Sequence, residues 1–87
     1  MKLKDTFLIH ESQNESILID SSGENFSGFV RTNPTSAFII ECLKEDTTEE
    51  KIADKMLDRY EGVTRDIVMK DIVKIVEKLK SIGAIDD

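Results

Sequence analysis

Gly28-Phe29-Val30-Arg31-Thr32-Asn33-Pro34-Thr35 holds the switch between the two halves of the chain. Phe29, Val30 and Thr32 are aromatic or β-branched and favour extended backbone, and Gly28 ahead of them marks the end of a turn. Asn33-Pro34 then supplies an N-cap and a proline at the first helical position, where its missing N–H costs nothing and its fixed φ suits the helix. Strand patterns lie before this point and helix patterns after it.

Upstream, Thr6-Phe7-Leu8-Ile9-His10 and Ser16-Ile17-Leu18-Ile19-Asp20 carry the strand-forming residue types, separated by the polar loop Glu11-Ser12-Gln13-Asn14-Glu15. A second polar stretch, Ser21-Ser22-Gly23-Glu24-Asn25, leads to a third strand over residues 28–32, completing an antiparallel meander. The third strand ends the meander, so one of its edges is expected to stay open.

Downstream, the first helix is expected to run to about Lys44, with Ala37, Phe38, Ile40, Cys42 and Leu43 covering more than one face. Thr47-Thr48-Glu49-Glu50 reads as a capping box with Thr47 as cap, opening a helix in which Ile52, Ala53, Met56, Leu57 and Tyr60 recur at helical spacing. Gly62 follows it. Thr64 caps a third and longest helix that Gly83 terminates. Here Val68, Ile72, Ile75, Leu79 and Ile82 make one apolar stripe, and Met69, Val73 and Val76 a second about 100° away. One stripe suffices for a core; the second either completes that core or lines a groove facing the open strand. The predicted fold class is α+β, winged-helix-like, a three-stranded antiparallel sheet followed by three helices (βββααα), in a single domain over residues 1–87.

The composition narrows the chemistry. Lone Cys42 and lone His10 allow no internal disulfide, Cys-rich zinc site or His cluster, and neither has a nucleophile–base partner at a recognisable spacing. Gly23, Gly28, Gly62 and Gly83 never group into a phosphate-cradling loop. No catalytic residue, metal or cofactor is therefore expected. No run approaches a membrane span and no secretory signal core opens the chain, so a cytoplasmic protein is expected. The net charge of −6 disfavours nucleic acid. Lys70, Lys74 and Lys78 nevertheless form a basic ridge on the last helix, which keeps a winged-helix DNA-binding or transcription-associated role as the alternative.

The strand-to-helix segment from Gly28 to Thr35 and its continuation from Phe38 to Leu43 resemble the PqqD-like family. So do Thr48-Glu49-Glu50-Lys51-Ile52-Ala53 with Met56, Leu57 and Tyr60, and Asp71-Ile72-Val73 through Leu79 to Gly83-Ala84-Ile85. Ile39-Ile40 stands where many relatives have an Ile-Trp-like pair. The resemblance implies a peptide-recognition module that binds the leader of a ribosomally made precursor peptide at its third strand and third helix and presents it to a modifying enzyme. In PqqD that enzyme is a radical S-adenosylmethionine protein; some relatives serve a leader peptidase. The residues expected to bind peptide are Phe29, Val30, Arg31 and Thr32 on the strand and Met69, Lys70, Val73, Val76 and Lys80 on the helix. An open edge of this kind also suits a homodimer through strand pairing.

Overall fold

The computed structural model describes residues 1–13 and 15–86; Asn14 of the first hairpin loop and Asp87 of the aspartate tail lie outside the described residues. Among these described residues, five strands and three helices follow in the order β1 (Lys2–Leu3), β2 (Phe7–Glu11), β3 (Ser16–Asp20), β4 (Phe29–Thr32), α1 (Pro34–Cys42), α2 (Glu49–Arg59), α3 (Arg65–Ser81) and β5 (Ile85–Asp86). The predicted meander is the antiparallel sheet β2-β3-β4, and the three predicted helices follow it. β1 and β5 make a separate antiparallel ladder, Leu3 facing Ile85, which the sequence pattern did not single out. Two-residue strands leave no periodicity to detect.

The sheet register decides what faces where. Ile9, Leu18 and Val30 stand side by side, as do Glu11, Ser16 and Thr32, while Leu8, Ile19 and Phe29 form a row on the opposite face. Phe7 and Leu18 are buried, so the first set points inward. There they join Ile39, Ile40 and Leu43 of the α1 region, Ile52, Ala53 and Met56 of α2, and Val68, Ile72, Val76 and Leu79 of α3 in one core.

The helix ends follow their caps, with one correction. Asn33 Oδ1 accepts from the Ser36 N–H at 2.8 Å and Thr64 Oγ1 from the Ile67 N–H at 3.4 Å, as their positions predict. For α2 the cap is Thr48 rather than Thr47: Thr48 Oγ1 accepts from the Lys51 N–H at 3.2 Å. Thr47 is buried and engaged with the N-terminal segment, its N–H donating to the Met1 carbonyl at 2.9 Å. The shift moves Glu50 out of the capping-box position, and Lys51 takes its place. α1 ends at Cys42, two residues short of the expected Lys44. Gly83 adopts φ +73° after α3, the left-handed conformation that closes a helix most readily without a side chain.

The long β3–β4 connection is organised by Asp20, which sits buried at the end of β3. Its carboxylate accepts from Ser22 Oγ at 2.7 Å and from the backbone N–H groups of Asn25 at 2.9 Å, Ser22 at 3.1 Å and Phe26 at 3.3 Å. Burial pushes its pKa upward, but these donors outweigh burial and hold the carboxyl well below the usual carboxylate range. A carboxyl whose folded pKa is depressed contributes stability that is complete above its unfolded pKa, about 3.9, and is lost as the pH falls toward the folded value. Thermal unfolding of wild type and Asp20→Asn should therefore differ by a constant amount above about pH 5, with the variant less stable, and the difference should shrink below pH 4. Parallel curves down to pH 2.5 would show that the charged carboxylate is not what holds the loop.

Candidate functional site

β4 lies at one end of the sheet and, among the described residues, is hydrogen-bonded to β3 alone. Among the described residues, no backbone hydrogen bond outside that ladder involves residues 29–32. The other edge of β4 therefore presents main-chain donors and acceptors without protein partners. Phe29 is 54% exposed and Arg31 is exposed, both on the outer face, while Val30 and Thr32 are half-buried on the inner one. Thr32 Oγ1 donates to the Ser16 carbonyl at 3.1 Å, tying the end of β4 to β3. Arg31 Nε lies 3.7 Å from Glu15 Oε2 in an open ion pair that costs little to exchange.

On α3, Met69, Lys70, Val73, Lys74 and Glu77 surround a shallow depression of about 440 Å³. Three of the predicted helix residues meet there. Lys80 is exposed but does not line it, and neither does any residue of β4. Val76 corrects the expectation of a second stripe facing a groove: it is 3% exposed and belongs to the core. The reason is angular. At 100° per residue, Val76 lies about 80° from Val68 and only about 40° beyond Ile72, so it extends the buried side of the helix, whereas Met69 lies at about 100° and Val73 at about 140°. The second stripe is thus split, with Val76 inside, Met69 half-buried at the rim and Val73 37% exposed. Val30 of β4 and Met69 of α3 both pack against the one core.

The outer face of the sheet carries further apolar surface that the strand patterns taken singly did not reveal. Leu8, 48% exposed, stands beside half-buried Ile19, which stands beside Phe29; His10, Ile17 and Arg31 form the adjacent row. Alternation within each strand marks these positions, but only the register sets them side by side.

A second depression, about 740 Å³, opens between the first hairpin loop, the end of β4, α1 and the end of α2. Phe38 and Tyr60 meet edge to face there with ring centroids 5.9 Å apart, and the Arg59 guanidinium lies 5.3 Å from the Phe38 centroid. Of the residues predicted to bind peptide, Thr32 alone lines this depression. Cys42 is half-buried; burial pushes its thiol pKa up against an opposing pull from Lys55, and Glu41 adds to the rise, which makes it a poor nucleophile. Among the described residues no group of three or more His, Cys, Asp or Glu side chains is placed to hold a metal ion. Among them, too, no helix is long and apolar enough to cross a membrane.

These features define a small α+β domain with an open sheet edge and an apolar depression on its longest helix. The chain belongs to the PqqD family: the family profile, Coenzyme PQQ synthesis protein D, matches residues 9–85. No curated protein matches the sequence. The fold is shared with TbiB1, solved in complex with the TbiA(beta) leader peptide, at a TM-score of 0.77 and 20% identity over 100% of both chains. It is shared also with lasso peptide synthetase B1 complexed with the leader peptide, at a TM-score of 0.74 and 23% identity over 95% of this chain and 93% of that one.

Proposed function

We propose that this protein is an adaptor that captures the leader segment of a ribosomally synthesised precursor peptide and presents the attached core to a modifying enzyme. The observation that carries the reading is the unpartnered edge of β4 in a member of the PqqD family. Two proteins of the same fold are seen with leader peptides bound, which adds support.

An extended leader adds a fourth strand beside β4, its main chain satisfying the open N–H and C=O groups. Backbone pairing supplies affinity with little dependence on sequence, so selection among peptides rests on side chains. Met69 and Val73 offer an apolar surface to side chains directed inward, and Lys70, Lys80 and Arg31 offer positive charge to acidic ones. Val76 supports this surface from inside the core without touching the peptide. The adaptor supplies no chemistry of its own; catalysis belongs to a partner, either a radical S-adenosylmethionine enzyme or a leader peptidase. Strand pairing between two copies through β4 would compete with the leader for the same edge.

The test is a backbone amide NMR titration of the labelled protein with synthetic leader peptides encoded beside its gene, at fixed salt. Saturable shifts concentrated at residues 28–33 and 66–80 are expected. Shifts confined to Lys70, Lys74 and Lys78 on adding duplex DNA, with none on adding peptide, would replace the reading with nucleic-acid binding.

A further inference from the structure

Given a leader that adds as a strand to β4, the reading on which this inference rests, the register of the sheet specifies more than where the leader sits. Successive residues of a strand point to opposite faces, so a strand laid against β4 is read on both faces at once. On the inner face its neighbours are Val30 and Thr32. On the outer face it extends the two existing rows, becoming the next member after Leu8, Ile19 and Phe29 in one, and after His10, Ile17 and Arg31 in the other.

Each row sets its own chemistry. Phe29, more than half exposed with Ile19 and Leu8 behind it, lacks apolar cover on its open side, and an aliphatic or aromatic side chain directly across the strand would supply it. Arg31 ends the other row as a cation. Among the described residues, the groups facing it are His10 and Ile17 from its own sheet and Glu15 from the loop before β3, and the Glu15 contact is made by Nε, at 3.7 Å. The remaining guanidinium N–H groups suit a carboxylate on an incoming strand.

The sense of the strand then fixes the order of the two residues. The sheet is antiparallel throughout, and antiparallel pairing is slightly the more stable. In an antiparallel partner, the residue across from Arg31 comes two positions before the residue across from Phe29. We infer that this protein selects leaders carrying an acidic residue, any residue, then an aliphatic or aromatic residue, read on the outer sheet face by Arg31 and Phe29 in register.

A second protein sheet fits this face less well than a single strand does. Two strands of five residues and one of four, about 4.8 Å apart, cover only about 230 Å², against about 800 Å² per partner for a stable interface. An added strand needs no such area, because its backbone hydrogen bonds supply much of the affinity.

The test is selection of a random twelve-residue peptide library, displayed on phage, on the immobilised full chain. Wild type, Arg31→Glu and Arg31→Lys are used, each checked for folding by circular dichroism. Wild type and Arg31→Lys are expected to enrich acidic-x-apolar triplets, and Arg31→Glu basic-x-apolar ones. Exchanging the acid for lysine in a synthetic copy should weaken binding to wild type about fivefold and strengthen binding to Arg31→Glu. Enriched peptides that shift the amides of residues 29–32 but show no spacing-two pair, the reversed order, or no response to Arg31→Glu would overturn this inference and leave strand addition standing. Enriched peptides that leave those amides unmoved, or a library that yields no binders, would overturn strand addition as well.

Discussion

Val76→Asp is expected to leave most of the chain unfolded at room temperature. Val76 is 3% exposed and packs in the core that also holds Val68, Ile72 and Leu79 of the same helix. The substitution removes burial worth about 2 kcal/mol and places an unpaired carboxylate where valine had none to satisfy. Together these cost about 5 kcal/mol, comparable with the whole stability of a domain of 87 residues. Lys80 lies one turn further along α3, but pairing with it would draw the carboxylate toward the surface and leave the core unfilled. Far-UV circular dichroism with urea titration is the measurement. A cooperative transition within about 1 kcal/mol of wild type would mean that Val76 is not part of the core.

The difference between Val76 and its neighbours marks where the sequence stops being informative. Caps and breakers act over a few residues, so Asn33-Pro34, Thr64 and Gly83 placed the starts of α1 and α3 and the end of α3 correctly. Where two equivalent side chains compete, local rules cannot choose: Thr47 and Thr48 both suit an N-cap, and the contact of Thr47 with Met1, far away in sequence, decides for Thr48. Helical periodicity likewise showed that α3 has two apolar stripes. How wide an arc the core covers depends on the sheet, α1 and α2, and that width separates Val76 from Val73. The open edge of β4 was readable from its place at the end of the meander. The Leu8, Ile19 and Phe29 row was not, because alternation gives each strand two faces and only pairing brings particular residues together.

Val73→Asp, three residues from Val76, should have the opposite outcome: a folded protein that binds leader peptide about 10 to 100 times more weakly. Val73 is 37% exposed and lines the α3 depression with Met69 and Lys70. An aspartate there remains solvated in the free protein, near Lys70 and Lys74, so stability should fall by less than about 1 kcal/mol. With peptide bound at the proposed site, however, the carboxylate would be stripped of water against an apolar side chain, and that desolvation would show as lost affinity. Val73→Thr separates shape from charge, keeping nearly the same volume, and is expected to lose only a fewfold. Calorimetric titration with the leader peptides encoded beside the gene, alongside urea unfolding of each variant, measures both quantities. If Val73→Asp binds within twofold of wild type while residues 28–33 still respond to peptide, the leader is held by the strand edge alone. If it unfolds as Val76→Asp does, Val73 belongs to the core, and the α3 depression is not the surface that selects among leaders.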